Sequence, residues 1–115
     1  MKKFLLSFTY AWKGFSYAFR TQLNFKVHSV TAALAILMGF LFDLSIREWL
    51  WIFLAIGVVL IAELFNTALE AFVDLVSPEY NPKAGIVKDV AAAAVMITAF
   101  LAILIGLMVF VPKIF

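Results

Sequence analysis

One segment, AELFNTALEAFVD, contains most of the side chains that could do chemistry. Its ionisable and amide side chains are Glu63, Asn66, Glu70 and Asp74. Residues three or four apart share one face of an α-helix, so these four residues and Thr67 form a stripe about 100° wide. An acid at the centre of a bilayer costs at least ~2.5 kcal/mol, and the stripe therefore cannot face lipid. It indicates a polar site for a cation or substrate, or else an acidic network that only holds helices together; intramembrane acids favour the first interpretation.

Polar residues continue in the loop that follows this stripe. Glu79, Tyr80 and Asn81 come first, and Lys88 and Asp89 are the last charged residues before an apolar stretch. Carboxylates that hold Mg²⁺ beside lysines that contact phosphate oxygens suit a magnesium-bound polyphosphate. Lys88 and Asp89 by themselves are equally typical of interfacial anchors. The sequence has no P-loop, GxGxxG or protein-kinase motif, so a nucleotide site here would be of another kind.

The elements that must position these residues are membrane helices. Of the 115 residues, 66% are hydrophobic and only 14% are charged, against roughly 25% charged in soluble domains. Three apolar stretches are predicted to span the membrane: 28–46, 49–76 and 90–111. The last is the clearest, because it has no charge and is long enough for a hydrocarbon core about 30 Å thick. The absence of cysteine excludes disulfides, thiolate metal sites and a cysteine nucleophile.

Residues 1–27 are predicted to form an amphipathic surface helix rather than a span or a signal peptide. Aromatic residues gather on one face: Phe4, Phe8, Trp12, Phe15 and Phe19. Basic residues gather on the other, so such a helix lies in the interface with its rings toward the acyl chains. His28, the only histidine, is interpreted as a helix-boundary residue and not as a metal ligand.

The basic residues predict the orientation of the chain in the membrane. Seven of the nine precede the first span or lie between the second and third: Lys2, Lys3, Lys13, Arg20, Lys26, Lys83 and Lys88. This places the N-terminus and the loop 77–89 on the cytoplasmic side. Three spans cannot enclose a pocket for both a nucleotide and a second substrate, which predicts a homo-oligomer.

The string ELFNTALEAFVDLVSPEYNPKAGIVKDVAAAAV, from Glu63 to Val95, resembles the signature of the prokaryotic diacylglycerol kinase family, which includes the undecaprenol kinases. The motifs YAWKG and FVPKIF extend the resemblance over nearly the whole chain. It implies a single lipid-kinase domain over 1–115, all-α and integral to the membrane, with three transmembrane helices, an N-terminal surface helix and a homotrimeric assembly. Such an enzyme transfers the γ-phosphate of MgATP to the hydroxyl of undecaprenol or diacylglycerol at the cytoplasmic face of the bacterial inner membrane, for phospholipid synthesis or lipid-carrier recycling. No nucleic-acid partner is expected.

The resemblance also implies roles for individual residues. Glu63 would be the general base, with Asn66 positioning groups beside it. Glu70 and Gln22 would be ligands of the magnesium ion held by ATP. The remaining predicted nucleotide-site residues are Lys3, Tyr10, Glu79, Tyr80, Asn81, Lys88 and Asp89. The sites are expected to form between subunits.

Two questions stay open at this point. Many family members have a glutamate where Gln22 stands, which predicts weaker metal binding, although an amide oxygen also coordinates hard cations. The motif NTALEAFVDLV and the FVPKIF tail favour the undecaprenol kinase branch, but apolar side chains do not distinguish the two lipids.

The alternative from another functional class is a non-catalytic oligomeric membrane protein, either a cation-binding channel or a lipid-binding scaffold, that uses the same acidic stripe.

Overall fold

The chain folds into four α-helices joined by short connections, and the computed structural model describes all 115 residues. The helices are α1 (Lys2–Thr21), α2 (Leu23–Leu41), α3 (Ile46–Val76) and α4 (Pro82–Ile114). The last three are long and apolar enough to cross a membrane, as predicted. At about 1.5 Å per residue, α3 and α4 are longer than a hydrocarbon core of about 30 Å. Their ends therefore reach beyond the apolar layer.

The surface helix and the first span meet at a different residue from the one predicted. The sequence pattern placed the boundary between residues 27 and 28, whereas the structure breaks the helix at Gln22. Gln22 has extended backbone angles (φ −114°, ψ 111°), and α2 begins directly after it. At its other end α2 stops at Leu41, because Asp43 adopts a left-handed conformation (φ 54°) that a helix cannot continue through. The first span is thus Leu23–Leu41 and not 28–46.

The connection between the second and third apolar helices is also shorter than predicted. It covers residues 77–81 rather than 77–89, because α4 begins at Pro82. Proline is favoured at the first position of a helix, where its missing N–H is not needed. Asn81 caps this helix, with its Oδ1 accepting a hydrogen bond from the Lys83 backbone N–H at 2.9 Å. Lys88 and Asp89 therefore lie on a helix and not in a loop.

Helices α3 and α4 form the most extensive interface in the chain, and α2 packs on α3. Two ion pairs set the antiparallel register of α3 and α4. Lys88 Nζ lies 2.7 Å from Asp74 Oδ1 at one end, and Lys113 Nζ lies 2.9 Å from Glu48 Oε1 at the other. Only 15 of the 115 residues are buried, so most large apolar side chains must be covered by lipid or by further copies of the chain.

The end of the bundle near the α2–α3 connection is closely packed, and we call it the turn end. Leu44, Ile52, Val109 and Phe110 form its buried core. Gly39 lies against the ring of Trp49, and a Cβ atom at this position would overlap Cη2 of that ring. The opposite end, formed by α1, the C-terminal turns of α3 and the N-terminal turns of α4, is called the polar end.

Aromatic packing joins α1 to α2 at the polar end. Phe25 and Ala18 are completely buried, on either side of the break between the helices. The Phe15 ring meets the Phe25 ring edge-on at a centroid distance of 5.1 Å, and Trp12 stacks on Phe15. The more N-terminal aromatic residues of α1 are exposed, as suits a helix that lies on a membrane surface.

Candidate functional site

The polar stripe of α3 lies at the polar end of the bundle. Glu63 is 1% exposed and Asn66 is 8% exposed, although both are surrounded by an apolar helix surface. Asn66 Nδ2 donates a hydrogen bond to Glu70 Oε1 at 3.3 Å, which links successive turns of the stripe. Thr67 Oγ1 donates to the backbone oxygen of Glu63 at 2.9 Å. The predicted catalytic and metal-binding residues of this helix therefore share one face.

Two oxygen atoms of the stripe are buried without a hydrogen-bond partner. They are Glu63 Oε1 and Asn66 Oδ1, and both are acceptors. Leaving a buried polar group unpaired costs about 1–3 kcal/mol, so native proteins rarely do so without a functional reason. A hydroxyl group or a hard cation would satisfy these atoms. The stripe thus fits a ligand that donates a hydrogen bond or carries positive charge.

His28 of α2 is the residue that the sequence pattern missed. The sequence pattern indicates a helix-boundary residue, whereas the structure places His28 within α2, with its Nε2 3.2 Å from Glu63 Oε1. The contact is a close approach and not an aligned hydrogen bond, because Glu63 Oε1 has no hydrogen-bond donor in the chain. In the sequence, His28 and Glu63 are polar residues in two separate apolar segments, which is a weak signal of a contact. Only the packing of α2 on α3 shows that they meet.

Lys88 connects α4 to the same stripe. Its ammonium group forms the ion pair with Asp74, one turn beyond Glu70. The register of α3 and α4 places Ala91 level with Glu70 and Val95 level with Asn66, and both of these α4 residues are buried. At the level of Glu70, α4 therefore carries a small side chain, that of Ala91. Asp89 follows Lys88 and is exposed.

The other predicted nucleotide-site residues do not converge on the stripe within one chain. Glu79 and Tyr80 are exposed in the connection between α3 and α4, and the Asn81 side chain caps α4. Lys3 and Tyr10 are exposed on α1, where Tyr10 stands 5.7 Å from the Lys13 ammonium group and neither residue forms an ion pair or hydrogen bond with α3.

Gln22 and Glu70 lie at about the same depth in the bundle. The helices α2 and α3 run antiparallel, with His28 opposite Glu63. Gln22 precedes His28 by six residues and Glu70 follows Glu63 by seven, which at about 1.5 Å per residue gives nearly equal rises. No three His, Asp or Glu side chains of the chain group together as a metal site. Glu70 and Gln22 are thus two oxygen donors at one level rather than a complete ligand set.

An apolar cavity of about 370 Å³ runs between α2, α3 and α4. His28 lines one end of it, beside Glu63, and Phe110 lines the other, at the turn end. Of its 15 lining residues, 12 are hydrophobic, so the cavity suits a hydrocarbon chain better than a polar molecule.

The chain is similar to known proteins over most of its length. The sequence matches the family described as prokaryotic diacylglycerol kinase over residues 9–110. It is 42% identical over 113 residues to the undecaprenol kinase of Bacillus subtilis (strain 168), covering 98% of this chain and 92% of that protein.

Two diacylglycerol kinases are also similar. The one from a Synechocystis species is 45% identical over 103 residues, which are 89% of this chain and 59% of that protein. The one from Escherichia coli (strain K12) is 30% identical over 95 residues, which are 83% of this chain and 78% of that protein. The chain therefore belongs to the prokaryotic diacylglycerol kinase family, a family of membrane lipid kinases.

Proposed function

We propose that this chain transfers the γ-phosphoryl group of MgATP to the hydroxyl group of undecaprenol or diacylglycerol at the cytoplasmic surface of the bacterial inner membrane. One observation carries this proposal above the others. Glu63 is a buried carboxylate on a membrane helix, and its Oε1 has no hydrogen-bond donor in the chain. A carboxylate in that state is ready to accept a proton from a lipid hydroxyl.

Glu63 acts as the general base in this proposal. The hydroxyl proton passes to the Glu63 carboxylate while the lipid oxygen forms a bond to the γ-phosphorus. The bond between that phosphorus and the β–γ bridging oxygen breaks, and ADP leaves with the electron pair. Phosphoryl transfer gains most from positioning and from neutralisation of charge, so the neighbouring residues matter as much as the base.

Glu70 and Gln22 would hold the magnesium ion of the nucleotide. Magnesium prefers oxygen ligands and is commonly bound by one or two carboxylates together with substrate phosphates and water. Gln22 and Glu70 share one depth, and the unpaired Asn66 Oδ1 lies beside them because Asn66 Nδ2 donates to Glu70 Oε1; both features fit such an ion. When bound, the ion would offset the negative charge on the transferring phosphoryl group.

Lys88 would contact the nucleotide phosphates. It already stands beside the stripe, paired with exposed Asp74, and exchanging that surface pair for a phosphate contact is inexpensive because surface ion pairs contribute little. Asp89, Glu79, Tyr80 and Asn81 would line the nucleotide from the same end of α4 and the connection before it. Lys3 and Tyr10 would reach it from α1.

A homotrimer would complete the site. Three of the predicted nucleotide-site residues are exposed and do not form a closed pocket within one chain: Lys3, Tyr10 and Tyr80. Tyr80 is 93% exposed. A neighbouring subunit would bring its own surface helix or loop against the α3 stripe, and would also cover part of the apolar surface. In the proposed orientation the N-terminus and residues 77–89 face the cytoplasm, where ATP is available.

The lipid chain would lie in the cavity that begins at His28. Its apolar lining and its position beside Glu63 would bring a terminal hydroxyl to the carboxylate while the hydrocarbon extends toward the turn end. The match to an undecaprenol kinase covers 98% of this chain and 92% of that protein, which favours a polyprenol. The 45% identity to a diacylglycerol kinase keeps the glyceride as the second candidate.

Transfer from γ-labelled ATP to the two lipids tests this function directly. Purified protein in mixed micelles with Mg²⁺ receives undecaprenol or diacylglycerol in parallel reactions, with Glu63→Gln as the control. Labelled lipid formed by the natural chain and lost in Glu63→Gln is the expected result, and the labelled lipid identifies the substrate. No labelled lipid from folded, oligomeric protein would contradict the proposal and favour a cation-binding or scaffold role.

A further inference from the structure

His28, which is not part of the α3 stripe, contacts Glu63, the proposed general base. Its Nε2 lies 3.2 Å from Glu63 Oε1, and it is the closest charged or titratable partner of that carboxylate. The two residues come from different helices, so the contact depends on how α2 packs on α3. The His28 side chain is 26% exposed, whereas Glu63 is buried.

No other group in the chain sets the direction of the Glu63 carboxylate. The Thr67 hydroxyl donates to the backbone oxygen of Glu63 and not to its side chain. The Asn66 amide donates to Glu70, one turn further along. Because Oε1 has no hydrogen-bond donor, the imidazole edge is the only polar surface that restrains it.

His28 also lines the end of the apolar cavity. One side chain therefore borders both the space that suits a lipid chain and the carboxylate that would accept the lipid proton. We propose that His28 is a positioning residue, which holds the Glu63 carboxylate in the direction needed for proton transfer from the lipid hydroxyl. This inference rests on the proposed role of Glu63. The proton passes only from the hydroxyl to Glu63, and His28 sets the direction of the accepting oxygen.

This role predicts a specific kinetic signature. A catalytic group displaced by about 1 Å loses on the order of 10²-fold in rate, whereas binding of a substrate held elsewhere is unaffected. The proposed nucleotide contacts come from α1, from the C-terminal turns of α3 and from α4. Substitution of His28 should therefore lower kcat and leave the KM for MgATP unchanged.

The test compares substitutions of different reach at one position. The side-chain nitrogen of glutamine reaches about as far as Nε2 of histidine, while that of asparagine is one bond shorter. His28→Gln, His28→Asn and His28→Ala are assayed in mixed micelles with the lipid that the natural chain phosphorylates. Lys26→Gln, an exposed position on the same helix with no contact to Glu63, is the matched control.

We expect His28→Asn and His28→Ala to lower kcat by about 10- to 100-fold with the KM for MgATP within about twofold, and His28→Gln to keep at least about a third of kcat. Lys26→Gln should behave as the natural chain does. Thermal unfolding in detergent gives the fraction of folded protein, and each rate is divided by that fraction. If His28→Ala does not fold, the comparison of His28→Gln with His28→Asn decides the result.

Wild-type kcat in His28→Asn and His28→Ala would overturn the inference, as would a loss in His28→Gln as large as that in His28→Ala. These results are distinct from failure of the proposed function. If Glu63→Gln abolishes lipid phosphorylation while His28 substitutions do not, only the role of His28 is wrong. If the natural chain phosphorylates neither lipid, both proposals are overturned.

Discussion

The turn end and the polar end of the helical bundle differ in whether their polar side chains have hydrogen-bond partners. At the turn end, Ser45 and Glu48 form a reciprocal capping box, and Glu48 also pairs with Lys113. At the polar end, Glu63 Oε1 and Asn66 Oδ1 are buried without a hydrogen-bond partner. A third unpaired buried atom, Ser29 Oγ, belongs to the residue that follows His28.

The turn end is also more closely packed than the polar end. The turn end contains the apolar core and the close approach of Gly39 to Trp49, where no spare volume exists. The polar end contains the exposed pair of Asp74 and Lys88, which can exchange its partners. The turn end thus holds the helices together, whereas the polar end carries the unpaired groups that the proposed ligands would contact. Natural proteins commonly give up some stability at functional sites in this way.

The largest expected effect comes from Glu63→Gln at the polar end. The amide cannot accept the hydroxyl proton, so kcat should fall by about 10³-fold. Thermal stability should stay the same or rise, because a buried carboxylate without a hydrogen-bond donor is replaced by a neutral group. Radiolabel transfer and thermal unfolding in detergent measure the two quantities. Near-normal turnover would refute the general-base assignment, and loss of folding would show that the two ends are not separable.

Gly39→Ala should have the largest effect at the turn end. The added methyl would meet rigid atoms of the Trp49 ring, so the protein should lose about 1–3 kcal/mol of stability. Activity per folded molecule should be retained. Gly57→Ala is the matched control, because a Cβ there meets no atom of this chain within 4 Å. Equal stability of the two variants would show that the Trp49 contact does not restrict this position.

Gln22→Glu sharpens the assignment of the metal site at the polar end. A carboxylate in place of the amide adds a charge at the depth of Glu70, which should lower the Mg²⁺ concentration for half-maximal activity by about 3- to 10-fold. Magnesium titrations at saturating ATP and lipid give this value. An unchanged titration would place Gln22 away from the ion.

Ser45→Ala should produce the smallest change. It removes the side-chain oxygen that accepts a hydrogen bond from the Glu48 backbone N–H, which should cost about 1 kcal/mol of stability. Ser7→Ala, which removes an exposed hydroxyl in the second turn of α1, should cost less. Thermal unfolding of the pair measures the difference. A loss of kcat in Ser45→Ala without a loss of stability would contradict the division between the two ends.

Composition and periodicity predicted the fold class, and the structure confirms an all-helical chain with three helices long and apolar enough to cross a membrane. They were less successful with boundaries. Gln22 ends α1 through an extended backbone that leaves no mark in hydropathy, and Pro82 begins α4 within a segment that its polar residues indicated to be a loop. Hydropathy indicates which part of a helix is apolar enough to contact lipid, whereas the ends of a helix are set by its capping residues. The two boundaries therefore need not coincide.

The sequence by itself determined the stripe and the family. Helical periodicity places Glu63, Asn66 and Glu70 on one face whatever surrounds them, because that relation is local to one helix. The tertiary structure alone decided that His28 meets Glu63 and that Lys88 meets Asp74, since these contacts depend on the antiparallel register of separate helices. It also decided which polar atoms stay unpaired, because burial and hydrogen bonding are properties of packed neighbours.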